Sequence, residues 1–257
     1  MKYLLYALLT LAALIWGAWF IVLPKDMLER RVEAELSREG VVVDVKGLRK
    51  GLFYSITIEA LDISKDSAII ASVYDISVEP IWGSLLKLKA GAHIKGELGG
   101  GWIVGDVYSN GKLHEADIKA NDVRLSQLDM LALTGQEIDG TVKGEMTFKG
   151  NSGKGKVSIS NLVVRNVEIM GFPLPQDIFH SARGAFEIKG NNVYIPAFSL
   201  EGNDLYARLS GSINRNSADM SLEIMPESGE LDSMLNMALG RYKAGKGKYV
   251  VPIKRKF

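Results

Sequence analysis

The sequence predicts a mainly β protein: one N-terminal transmembrane helix, then an elongated, twisted antiparallel sheet with a few short helices. Three observations predict it. Residues 3–23 (YLLYALLTLAALIWGAWFIVL) carry no charge. From Val41 onward apolar residues recur with a period of two instead of 3.6. In the second half, turn-forming Gly and Asn clusters interrupt that pattern every 10–13 residues, the spacing of an antiparallel meander.

The uncharged stretch comes first. As a helix it rises about 31 Å, roughly the thickness of a bilayer's hydrocarbon core. A cleaved signal peptide is the competing reading, and Lys2 supplies its basic start. The apolar run is too long for one, and a cut after Ala18 would place Trp16 at the −3 position. Tyr3 and Tyr6 near one end and Trp16 and Trp19 near the other suit two membrane interfaces. Residues 1–24 therefore read as an uncleaved anchor. The flanking charges do not set its orientation. The short start and long remainder favour export of the bulk, because long domains translocate largely regardless of charge.

Residues 25–40 read as an amphipathic juxtamembrane helix. Leu28, Val32 and Leu36 recur at i, i+4, i+8, and Asp26–Arg30 and Arg31–Glu35 are opposite-charge pairs at i, i+4. Gly40 is its stop. Such a helix lies on the membrane or packs on the first strands. Residues 41–257 then form the β domain, with a sub-boundary near 120–137. Segments 41–48 and 53–63 read as strands, the second with a bulge near Glu59–Ala60 where apolar parity changes. Segment 68–79 continues with Ile70, Tyr74, Ile76 and Val78 on one side, ended by Pro80. Residues 81–88 (IWGSLLKL) form an apolar link lying on the sheet or the membrane, and 89–124 hold weaker strands broken by Gly99-Gly100-Gly101.

Ser126 and Asp129 approximate a capping box for a short helix over 126–133. The second half alternates more cleanly. Val142, Met146 and Phe148 share a face. So do Leu205, Leu209 and Ile213, then Met220, Leu222 and Ile224. Ser228 caps a helix over 229–239 with Leu231, Leu235 and Ala238 inward, ended by Gly240. Strand, capped helix, strand recurs at 122–149 and 218–251 as a loose repeat.

Composition excludes some chemistry. There is no cysteine, so no disulfide, thiolate zinc site or cysteine nucleophile exists. A net charge of +1 gives no global bias toward nucleic acid. His93, His114 and His180 lack metal-ligand spacing, and no phosphate loop or G-x-S-x-G elbow is present. No catalytic, cofactor-binding or metal-ligating residue is assigned, and the chain reads as non-enzymatic with no cofactor.

Two features remain as binding candidates. A long sheet with few helices to cover it can curl into a groove for acyl chains. Its lining would be Val142, Met146, Phe148, Leu205, Leu209, Ile213, Met220, Leu222 and Ile224. The other is the basic tail, with Arg241, Lys243, Lys246, Lys248, Lys254, Arg255 and Lys256 and no acid over 241–257. It is either a solvated tail ending in a last strand or a contact for anionic lipid heads or an acidic partner.

Together, MLERRVEAELSREG after the anchor and VVVDVKGL followed by YSITIEALDIS resemble the start of AsmA-like proteins. IDGTVKGEMTFKGN and PLPQDIFHSARGAFEIKGNNVYIPAFSLEGNDLYARLSGSINRN resemble the type II secretion system protein N family. The likeness is one of layout, without a catalytic signature. It implies an AsmA-like β-groove and a single-pass protein of the bacterial inner membrane, its bulk in the periplasm of a Gram-negative envelope. The implied role is a non-enzymatic accessory of type II protein secretion with secretion-system subunits as partners. The alternative is an AsmA-like protein that binds or transfers phospholipid.

Overall fold

The computed structural model describes residues 19, 23–37, 41–65, 68–111, 113–129, 137–165, 168–169, 172–173 and 178–256. Residues 1–18 and 20–22 of the expected anchor, Gly40, and residues 130–133 of the helix expected over 126–133 lie outside these. Among the described residues no helix is long and apolar enough to cross a membrane.

Helix α1 (Lys25–Leu36) leads into β1 (Val41–Lys46), β2 (Arg49–Lys50), β3 (Ile56–Lys65), β4 (Ala68–Pro80), β5 (Ala90–Leu98) and β6 (Gly101–Ser109). Then come β7 (His114–Arg124), β8 (Ile138–Lys149), β9 (Ser152–Val164), the two-residue strands β10 (Glu168–Ile169) and β11 (Phe172–Pro173), and β12 (Phe179–Lys189). The chain continues through β13 (Asn192–Gly202), β14 (Leu205–Ile213), β15 (Ser217–Pro226), helix α2 (Gly229–Leu239), β16 (Lys243–Gly245) and β17 (Lys248–Lys256). Fifteen strands form one sheet in the order β1-β3-β4-β5-β6-β7-β8-β9-β12-β13-β14-β15-β17-β16, with β2 beside β3. Every pairing is antiparallel. At the usual strand spacing the sheet is roughly 60 Å wide. It does not break near 120–137, because β7 and β8 pair from Glu115↔Lys149 to Arg124↔Thr141.

Tight turns set the registers. Gly99 and Gly100 sit at φ 54° and 68° between β5 and β6, where only glycine is unstrained. Strands β5 to β7 are thus regular and longer than the glycines suggested. The β8–β9 loop is also shorter than its glycines imply, just Gly150-Asn151.

Alternation changes parity at three places by one device. Asp75, Asp122 and Asn161 hold φ of 48°, 55° and 51° within strands. Asx side chains tolerate this left-handed region better than most. Each is followed at once by a buried apolar residue, namely Ile76, Val123 and Leu162. This corrects two expectations. No register shift interrupts β3–β4 at Glu59–Ala60; Ile58↔Ile76 and Ala60↔Tyr74 place Asp75 opposite Glu59, so both strands change face together. The β3–β4 shift falls at Ile63/Ser64 instead. Tyr74 accordingly faces solvent, and Val73 packs with Ile76. Phe53 and Tyr54, expected within a strand, lie in a 3-10 turn over Leu52–Tyr54.

Two buried clusters hold the sheet, one at its first strands and one reaching from β8 and β9 to β17. At the first, Val43, Val45, Leu48, Ile58 and Ile76 pack with Leu28 and Val32 of α1, so this helix docks on the strands; Leu36 stays exposed. At the other, Leu231, Leu235 and Leu239 of α2 bury Leu205, Ile224, Tyr249 and Val251. Ser228 caps α2, its hydroxyl accepting from the Leu231 amide at 3.3 Å. The helix ends at Leu239 with Gly240 as its C-cap, as expected, and Gly240 opens a 3-10 turn to Tyr242. Ser126 is no capping-box residue. Its hydroxyl donates to Asp139 at 2.8 Å. With the amide of Gly140, this holds the Asp139 carboxyl below its usual range.

Candidate functional site

Directly paired residues of an antiparallel sheet point to the same face, so the registers assemble the apolar side chains into rows. One row runs Ile94, Gly105, Ile118, Met146, Gly155, Phe186 from β5 to β12. The next runs Ala92, Val107, Ala116, Phe148, Gly153, Ile188. On the same face, one step the other way along the strands, Ala120, Gly144, Val157, Gly184, Phe198, Leu209, Leu222, Val251 cross from β7 to β17. Val142 lies in a fourth row between Val123 and Ile159. Ile213 pairs Val193 and Ala218, and Met220 pairs Gly211 and Ile253. All nine groove candidates therefore share one face.

They do not share one environment. Leu205 and Ile224 are 1% and 0% exposed beneath α2 and are core. Met220 is also buried. Those three are removed from any ligand-facing surface, Leu205 and Ile224 by packing in the cluster that includes α2 and Met220 by its burial. Ile103, Val107, Ile118, Met146, Phe148, Val157 and Phe186 belong to neither buried cluster and are only half-buried. These residues form the open part of the face on β6 to β12; farther along the same strands Leu162, Phe179 and Ala182 belong to the cluster that includes α2.

Glycines shape this open part. A Cβ at Gly153 would lie 2.7 Å from the Phe148 ring, and one at Gly155 would collide with the ring of Phe186. A Cβ at Gly184 would likewise strike Phe198. Each aromatic ring thus lies over a glycine on the adjacent strand, covering backbone that glycine leaves bare. The rings pave the face instead of standing up from it. The sequence signal was Gly153 and Gly155, which occupy the apolar parity of β9 where large residues are expected.

A cavity of about 670 Å³ lies elsewhere, lined by Lys119, Lys143, Glu145, Lys156, Arg183 and Ser199, among others. Their register places them on the opposite, polar face. Lys156 pairs with Glu145 at 3.7 Å, Lys143 with Asp122 at 3.3 Å, and Arg183 with Glu201. These are exposed cross-strand pairs of small individual worth. His93 joins Asp106 at 2.7 Å on the same face. Among the described residues no group of three or more His, Asp or Glu is placed to hold a metal ion.

The basic tail forms β17, paired with β15 from Ile224↔Tyr249 to Ser217↔Lys256. Lys248 meets Glu223 at 3.3 Å and Lys254 meets Asp219 at 3.7 Å. Lys243 bonds Asn236 and lies over Tyr249, while Arg241 lies over Tyr242. On its far side β17 meets only β16, at Lys248 and Tyr249. Pro252, Lys254, Arg255 and Lys256 therefore line the outer edge of the sheet, where proline and charge discourage pairing with another chain. Lys246 sits apart in the β16–β17 turn.

No protein-family model, no curated protein and no solved structure matches this chain.

Proposed function

We propose that the protein is a non-enzymatic, membrane-anchored envelope component that binds acyl chains on the paved face of its sheet, as an AsmA-like lipid-binding or lipid-transfer protein would. One observation supports this reading above others. An apolar face continues in register across the sheet, yet Ile103, Val107, Ile118, Met146, Phe148, Val157 and Phe186 in its middle belong to neither buried cluster. Covering the half-exposed middle with acyl chain removes apolar area from water at about 25 cal/mol per Å². Residues 3–23 anchor the chain in the inner membrane, with the β domain in the periplasm.

The test is photo-cross-linking of the full-length protein in its native membrane with a phospholipid bearing a photoreactive acyl chain. Adducts at Ile103, Ile118, Met146 or Phe186 are expected. Adducts confined to residues 3–23 would remove the reading.

An accessory role in type II secretion, resting on the resemblance of 138–151 and 173–216, is the second reading. What favours it is the polar face, whose charged cavity suits a protein partner. Recovery of secretion-machinery subunits at stoichiometric levels after cross-linking in vivo would place it first; lipid adducts without such subunits would set it aside.

A further inference from the structure

The hairpin loops at one end of the sheet form a row with an abrupt change of character. Connections 110–113, 150–151, 190–191 and 214–216 are built on asparagine and glycine. The first two, at the same end, are not. Leu52–Tyr54 joins β2 to β3 and exposes Leu52 and Phe53. Residues 81–89 join β4 to β5 and expose Trp82, Leu85, Leu86 and Leu88, with Leu86 91% exposed.

Both loops are held in shape. Phe53, Tyr54 and Leu88 have φ of 55°, 65° and 55°, conformations that cost non-glycine residues energy and persist only where surroundings enforce them. The buried hydroxyl of Ser84 bonds the carbonyls of Ile81 at 2.7 Å and Lys89 at 2.9 Å, and the Leu88 amide bonds the Leu85 carbonyl. The fold thus spends backbone strain to hold leucines outward.

The loops are also joined to the end of the uncharged stretch. The Trp19 ring lies 5.0 Å from that of Tyr54, which lies 5.7 Å from that of Trp82. The Trp19 indole donates to the Gly51 carbonyl at 3.2 Å. The Lys50 ammonium bonds the carbonyls of Trp19 and Leu23 at 2.7 and 2.6 Å. Tryptophan, tyrosine and lysine gathered where the uncharged stretch ends is the composition of a membrane–water interface.

We propose that Leu52–Tyr54 and Trp82–Leu88 are seated in the membrane surface, so that the first hairpins of the sheet stand on the phospholipid bilayer beside the anchor while the later hairpins rise into water. The polar change from the third loop onward marks where the sheet leaves the membrane. Lys87, exposed among the leucines, faces the headgroups. The inference rests on residues 3–23 being an anchor and goes beyond it, by fixing which edge of the sheet meets lipid.

A cysteine-free chain permits single labels. Leu86→Cys, Phe53→Cys, Asn191→Cys and Ala12→Cys would each carry a fluorophore in the full-length protein, reconstituted into phosphatidylcholine–phosphatidylglycerol vesicles containing brominated lipid. Quenching by lipid severalfold stronger at positions 86 and 53 than at 191, with protection from a water-soluble quencher, is expected. If position 12 is quenched by lipid while 86 and 53 behave like 191, the anchor stands and the loop proposal falls, a protein-docking use of the loops included among the reasons. If position 12 is itself open to the water-soluble quencher, the anchor reading fails and the proposal with it.

Discussion

Glu33, on helix α1, accepts a hydrogen bond from the backbone amide of Val45 on the outermost strand, at 3.1 Å. It is the middle member of a ladder. Ser37 accepts from the Val43 amide at 2.9 Å and Glu29 from the Leu48 amide at 3.3 Å. Four helical residues rise about 6 Å, and two strand residues advance about 6.7 Å, so Ser37 and Glu33 match the outward amides of Val43 and Val45 on the edge strand, while Glu29 reaches Leu48 past the turn at Gly47. The first edge of the sheet is thus closed by side chains instead of a further strand.

Removing both glutamates, Glu29→Ala with Glu33→Ala, leaves those amides unpaired. A loss of about 1 kcal/mol per acceptor is expected, read by denaturant unfolding of the detergent-solubilised chain. The same variant is expected to self-associate through β1 in sedimentation measurements. Glu33→Gln keeps an acceptor oxygen and should lose less.

Tyr249 is fully buried and donates its hydroxyl to the Asp232 carboxylate at 2.8 Å, joining β17 to α2. Burial, and then that hydrogen bond and charge, push its phenol up to about 12. The folded state therefore holds a proton that the unfolded chain releases near pH 10. Stability is expected to fall as pH rises from about 10 to about 12, and Tyr249→Phe should flatten that limb. Asp62, Glu115 and Asp139 give the opposite limb. Hydrogen bonds from Lys46, Lys89 and Ser126 respectively lower their carboxyl groups, so their contribution is present near neutrality and lost as pH drops below about 4. Thermal unfolding across the pH range checks both limbs.

Two glycines should respond oppositely to a methyl group. A Cβ on Gly202 would collide with the backbone carbonyl of Ile178, whereas one on Gly144 would come no nearer than 3.4 Å to the Lys156 carbonyl. Gly202→Ala is expected to cost about 1–3 kcal/mol, and Gly144→Ala to fall within about 0.5 kcal/mol of the parent.

The open and closed parts of the apolar face should separate by phenotype. Leu235→Ala, in the filled cluster, is expected to cost about 2–5 kcal/mol. Met146→Asp, on the half-exposed stretch, should leave the unfolding midpoint nearly unchanged and strip co-purified phospholipid, measured by mass spectrometry of the extracted protein.

The sequence alone determined the β class, the end-to-end meander, the Ser228 cap and the shared face of Val142, Met146 and Phe148. Those features follow from period-two patterning and turn chemistry, which are local. It did not determine where the face changes parity. Asp75, Asp122 and Asn161 look like solvated residues until their backbone conformation is known, and the flip depends on the partner strand. Nor did it separate core from open surface. Leu222 and Ile224 belong to the same alternation, but α2 completes the burial of Ile224, and a helix arriving from the chain beyond is a tertiary fact. Nothing in the sequence singled out the row of Glu29, Glu33 and Ser37. Only the docking of that helix beside β1 made it the edge of a sheet, because an acceptor acquires its meaning from the amide that reaches it.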